Sequence, residues 1–370
     1  MNEPIKISWY RSKVDKAVMS ELMQKSDARG LAQAVPQLLL FAVTGTLAYL
    51  AFLHLNATNW PWVLPLLLLA LFVHGTNGSF FGGIAGHELS HKTPFASPFL
   101  NSVFVKIYAF LGWFDPVGYR ASHIRHHQTT TFTDYDGEVV LPQGLDWHGV
   151  KYILTMLTFS PVATGKLFLF WVAATTGNLS RDGFFKAWWL QRVVPESNAA
   201  QRREIRNWAR VLLAGHLALA AFFIVTGHWF LIIVNFGTLY CPWFVALCGA
   251  PQHLGLSPNT PDFRLCCRTY TCSWLPAFFY WNMQYHVEHH MFPAVPFYNL
   301  SRLRAAIAHD LPPAPHGLWA TWKELLPIMH KQRQDPSYVY VPPLPGSEGE
   351  RVGDETIFNE ASQQTSPATA

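Results

Sequence analysis

The sequence predicts an all-α integral membrane protein: four transmembrane helices in two hairpins, with a cytosolic helical cap holding a histidine-rich di-metal site. Three observations lead there. Half of the 370 residues are hydrophobic and only 14% are charged, and several apolar runs approach the ~20 residues that span a bilayer as helix. Fifteen tryptophans and thirteen tyrosines suit a chain with membrane–water interfaces, where amphipathic rings settle. Nine of the seventeen histidines gather in four places near the ends of those runs.

Residues 1–34 form a polar leader, expected in the cytosol, that carries Lys6, Arg11, Lys13, Lys16, Lys25 and Arg29. Within it, 14–23 fits either a helix lying on the membrane or a solvated segment. The first apolar run starts only near Val35, too far in for the hydrophobic region of a cleavable signal. A first span is expected over 35–55 and a second over 62–81, joined by the uncharged link NATNWP. Basic residues before the first span and none in the link place the N-terminus in the cytosol. Gly75, Gly78, Gly82, Gly83 and Gly86 close the second span; close helix packing explains them, and so does the wall of a tunnel for a thin substrate.

The apolar stretches 99–113 and 152–175 are expected to lie in the interface, because a single crossing by either would split the histidines between two sides. Arg202, Arg203, Arg206 and Arg210 mark the cytosolic start of a third span, 208–226. Gly227 and His228 turn the chain into a fourth, 229–248. The tail 346–370, rich in Gly, Ser, Thr, Gln and Ala, cannot bury a core and is expected to be disordered, which leaves 35–345 as the catalytic domain.

The histidine clusters carry the chemistry. In QYHVEHHMFP, His286, His289 and His290 stand at i, i+3 and i+4, so on a helix they share one face. HELSH places His87 and His91 four apart, SHIRHH repeats the triple pattern with His123, His126 and His127, and QHLG adds His253. Neutral imidazole is a ligand for iron, copper, nickel and zinc, and nine such side chains exceed what one ion needs. His74 and His216 lie deeper in the spans, are isolated, and are expected to be satisfied core residues.

Other readings are weaker. HELSH matches the HExxH of zinc proteases, but a protease leaves most of the other histidines without a role. A transporter needs its ligands near the bilayer midplane, whereas these sit at span ends. The modest net charge of +4, with scattered basic residues, gives no nucleic-acid-binding stripe. Five cysteines without a CxxC pair read as reduced thiols.

The combination HELSH, HIRHH, QHLG and HVEHH resembles the membrane fatty acid desaturase and hydroxylase superfamily over roughly residues 35–325. TDYDGE, with Asp134, Asp136 and Glu138, is similar to the acidic stretch that often follows the second histidine box there. The resemblance implies two ferrous ions held by His87, His91, His123, His126, His127, His253, His286, His289 and His290, with dioxygen as co-substrate. It also implies electrons from an external cytochrome b5 or ferredoxin with its reductase, and a lipid or acyl substrate. Desaturation and hydroxylation share their first hydrogen removal, and the residues leave both open, along with oxidation of a carotenoid or a specialised metabolite on the same scaffold. Gly249 stands where some acyl-CoA desaturases have an asparagine, and Gln252 where related bacterial chains often have an acid. Glu88, Asp134, Glu288 and Asp262 are expected to orient imidazoles through the nitrogen that faces away from metal.

Overall fold

The computed structural model describes residues 7–139 and 150–345. Lys6 and the tail 346–370, expected to be disordered, lie outside the described residues. The described chain is helical, with two isolated β-bridges and no strand among the described residues.

Three helices are long and apolar enough to cross a membrane: Asp27–His54, Trp60–His91 and Ala199–Val225. The first begins eight residues before the apolar run because Ser26 caps it, its hydroxyl accepting from the Arg29 amide. The second starts with Pro61 in its first turn, where the missing N–H costs nothing. It continues through the HELSH segment as one 32-residue piece. Just before that segment, Phe81–Ala85 winds as a π-helical turn, a local widening found mostly at functional sites.

The glycines of this helix do two jobs. A Cβ on Gly75 would sit 2.3 Å from the Tyr240 ring, one on Gly78 2.8 Å from Phe41, and one on Gly86 2.6 Å from Phe114. These three let neighbouring chains approach closely. Gly83 has open space where its side chain would be. It borders the cavity described below.

The expected fourth span, 229–248, is not one helix. It runs as a six-residue helix Phe230–Asn235, a tight turn Gly237–Leu239, and a further helix Trp243–Gly249. Pro242 lacks the N–H that a continuing helix needs, and Cys241 takes a left-handed φ of 54°. The break is satisfied from outside: the Cys241 amide donates to the Thr158 carbonyl at 2.5 Å and its thiol to Leu157 at 3.1 Å. His74 bridges the Thr44 hydroxyl and the Val234 carbonyl, each at 2.9 Å. His216 pairs with the Asn235 side chain at 2.8 Å and the Phe110 carbonyl at 3.0 Å. The two isolated histidines therefore fasten the broken stretch.

Pro98–Leu111 and Pro161–Ala174, fourteen residues each, are too short to cross a bilayer. The leader packs on the histidine-bearing region and is not simply solvated. Trp9 stacks on Phe263 at 4.0 Å, Tyr10 donates to Asp310 at 2.7 Å, and Asn299 holds the Leu22 carbonyl at 2.8 Å.

Candidate metal centre

Three short helical faces present the histidines. Gly86–His91 carries His87 and His91. Pro116–Thr129 starts on Asp115, whose carboxylate accepts from the Val117 and Gly118 amides, and it carries His123, His126 and His127. His286–Met291 carries the last three. His253 follows a tight turn, Ala250–Gln252.

Their packing produces two groups. The nitrogens of His87, His91, His123, His127 and His289 lie within 4.8 Å of one another. Nε2 of His123 is 2.9 Å from Nε2 of both His91 and His127, and His289 Nε2 is 3.2 Å from that of His127. In the second group, His286 Nε2 is 2.9 Å from His253 Nε2 and 3.1 Å from His290 Nε2. The Cys267 thiol also falls within this group's radius. The His126 ring lies 4.9 Å from that of His290 and 5.3 Å from that of His253. All nine predicted histidines are thus brought to one place.

These groups are deeply buried, and burial sets their charge. It pushes His123, His127, His286, His289 and His290 well below the ordinary imidazole value, and neighbouring imidazoles add to the shift. His253 falls to about 3, again chiefly by burial. At neutral pH they are uncharged, with a lone pair free for a ligand. His87 Nε2 is buried without a hydrogen-bond partner among the described residues. Converging neutral imidazoles with an orphaned nitrogen suit two transition-metal ions.

A second layer holds the far nitrogens. His123 Nδ1 meets Glu138 at 2.7 Å, His126 Nδ1 meets Asp136 at 2.9 Å, and His87 Nδ1 meets Glu88 at 3.1 Å. Gln252 holds His286 Nδ1 at 3.0 Å, and the Cys266 carbonyl holds His253 Nδ1 at 2.9 Å. Such partners fix the tautomer and aim the opposite nitrogen at the metal. Burial opposes charge on His126, but the adjacent Asp136 carboxylate reverses the balance and raises its pKa. Burial pushes Glu138 up to about 7.

Three expectations for this layer need correction. Asp134 is exposed, and among the described residues only its backbone carbonyl is engaged, by Arg192; the acids two and four residues later reach the imidazoles. Glu288 is two residues from His286, so it leaves the helix on another face. There it pairs with Arg304 at 2.6 Å and accepts from Thr269 at 2.5 Å. Asp262 caps the Phe263–Cys266 turn and pairs with Arg264 at 2.7 Å. Gln252 went unrecognised as an imidazole partner, although its place next to His253 was visible.

A cavity of about 300 Å³ opens between the two groups, lined by Gly83, His87, Tyr119, His123, Gly249 and His253 among others. The model of the family named fatty acid desaturase matches residues 58–322, a segment containing all nine histidines. This chain belongs to the fatty acid desaturase family. No curated protein matches it. Family membership makes it a membrane oxidoreductase that acts on lipid. The leader and the first long helix lie outside the matched segment of this desaturase-family chain.

Proposed function

We propose that this chain holds two iron ions and introduces a double bond into a fatty acyl chain. His87, His91, His123, His127 and His289 hold one ion; His126, His253, His286 and His290 hold the other. Iron bound there supplies what no side chain can: reduction of dioxygen and removal of hydrogen from an unactivated C–H bond. Glu138, Asp136, Glu88 and Gln252 keep the ring nitrogens aimed inward. The acyl chain enters the cavity between Gly83 and Gly249, where the missing side chains leave room for methylenes beside both metal groups.

The observation that carries this reading is the convergence of two histidine groups on one cavity. It also disfavours a zinc protease. Glu88 lies behind the imidazoles, 3.1 Å from His87 Nδ1 and 3.7 Å from His289 Nδ1, and is not placed to act on a metal-bound water. Electrons come from an external cytochrome b5 or ferredoxin with its reductase. The site faces the cytosol: the broken stretch from Phe230 to Gly249 makes the fourth crossing, its irregular backbone tolerated because protein groups satisfy it. The catalytic unit spans 35–345.

The test is co-expression with a donor system, followed by mass spectrometry of the cell's fatty acids. A new double bond at one position, lost in His289→Ala, is expected. New hydroxyl groups without double bonds would assign the chain to hydroxylation. No lipid product from an iron-loaded protein with every donor would overturn the reading.

A further inference from the structure

A second cavity, of about 580 Å³, lies on the reverse faces of the helices that carry the first two histidine clusters. Leu89 and Ser90, between His87 and His91, line it, as do Arg120 and Ile124 from the helix of His123 and His127. None of its lining residues belongs to the metal groups.

Its chemistry is two-sided. Lys25, Lys92 and Arg120 surround it, against the single carboxylate of Glu204 among its described lining residues. The cations are positioned by the backbone. Lys25 Nζ donates to the Lys92 carbonyl at 2.8 Å, Arg120 donates to the Ser90 carbonyl, and Lys92 sits at a left-handed φ of 60° that ends its helix. A lysine has three donors and an arginine five, so most remain for a ligand.

Asn101, another lining residue, is only 5% exposed. Its Nδ2 donates to the Leu89 carbonyl at 3.0 Å, while its Oδ1 has no partner among the described residues. That oxygen has essentially no accessible surface, so Asn101 braces the cavity wall from behind. The rest of the lining includes apolar Leu89, Phe95, Val105 and Val117. Beside it, Phe99 is 72% exposed and Ile107 38%. Those exposed side chains, on a helix too short to span, suit the lipid boundary.

We propose that this cavity seats one anionic phospholipid. The phosphate takes the Lys25, Lys92 and Arg120 donors, and the first methylenes of a tail lie on Leu89, Phe95 and Val105. Charge attracts the phosphate, and the apolar floor selects a lipid over a free anion.

The experiment uses the full chain in nanodiscs and compares phosphatidylglycerol with phosphatidylcholine by native mass spectrometry. The probe variant is Lys25→Gln with Lys92→Asn, asparagine being a residue that tolerates the left-handed conformation. Preferential retention of phosphatidylglycerol is expected, weakening about fivefold for each lysine removed. Iron content should be unchanged in the double variant, which shows that it folds. Equal retention of the two lipids by the unmodified protein, or the same retention in the double variant, would overturn the proposal. So would displacement of the lipid by millimolar inorganic phosphate, which would mark a simple anion site.

Discussion

Glu138 holds His123 by its ring nitrogen Nδ1, at 2.7 Å, and takes the Ser122 hydroxyl on its other oxygen at 2.5 Å. One carboxylate thus fixes two consecutive residues of a helix and points the His123 Nε2 into the first metal group. Asp136 does the same for His126, and its second oxygen accepts the Glu138 amide at 3.0 Å. A single short loop therefore clamps two imidazoles.

Removing that clamp should weaken metal binding before it weakens the fold. Glu138→Ala and Asp136→Asn should each cost roughly 10- to 100-fold in iron affinity, the usual scale for an outer partner. Anaerobic ferrous titration of the purified variants checks this. Asp134→Ala should leave affinity unchanged, since its side chain is exposed.

The hydrogen-bonded chain extends one residue further. The indole of buried Trp189 donates to the Ser122 hydroxyl at 2.7 Å. Trp189→Phe and Ser122→Ala should each lower iron affinity by less than about tenfold, below the cost of losing Glu138 itself. Groups in one network are not additive, so the double variant should lose little more than the worse single one.

Space between the metal groups should matter for turnover alone. Gly83→Val and Gly249→Val would place methyl groups in the cavity that both residues line. Lipid turnover should fall at least about tenfold, on the scale of misplacing a substrate by an ångström, with iron content intact. Joint loss of iron and activity would mean that these glycines serve packing instead.

Acid should destabilise the metal-free protein. Six histidines outside the long helices, His123, His127, His253, His286, His289 and His290, have folded pKa values depressed below 6.5 by burial. As pH falls through 6.5 the unfolded chain takes up protons that the folded chain refuses, so stability present above that value is lost below it. His126, raised beside Asp136, works in the opposite sense, as do Glu138 and Asp115, which burial pushes up to about 7 and about 6, three groups against six. The melting temperature of the iron-free protein in detergent should drop steeply from pH 7 to 5; a flat profile would show that the site relaxes and hydrates.

Much of the site was legible because histidine spacing on a helix is a local property. His87 with His91, and His286 with His289 and His290, needed only the helical period to share a face. The outer layer was less legible, because it depends on where a loop turns: Asp134, Asp136 and Glu138 look alike in sequence, and only the last two meet imidazoles. Glu288 could have been placed by the same helical arithmetic that placed its neighbours. Hydropathy found the helices Asp27–His54 and Ala199–Val225 but not their starts, which Ser26 and Asn198 set by capping. It also read 229–248 as continuous, since an average over a window does not register Pro242 or the turn at Cys241. The partners of that break, Thr158, His74 and His216, are distant in sequence.

The central claim is that two histidine groups hold two irons. The direct measurement is metal content per chain after anaerobic loading with ferrous iron, read by elemental mass spectrometry alongside Mössbauer spectroscopy of the same sample. The account predicts about two irons per chain with two distinguishable sites, and loss of the first-group signal in His91→Ala. One zinc per chain that iron does not displace, or a single iron signal unaffected by His91→Ala, would contradict it.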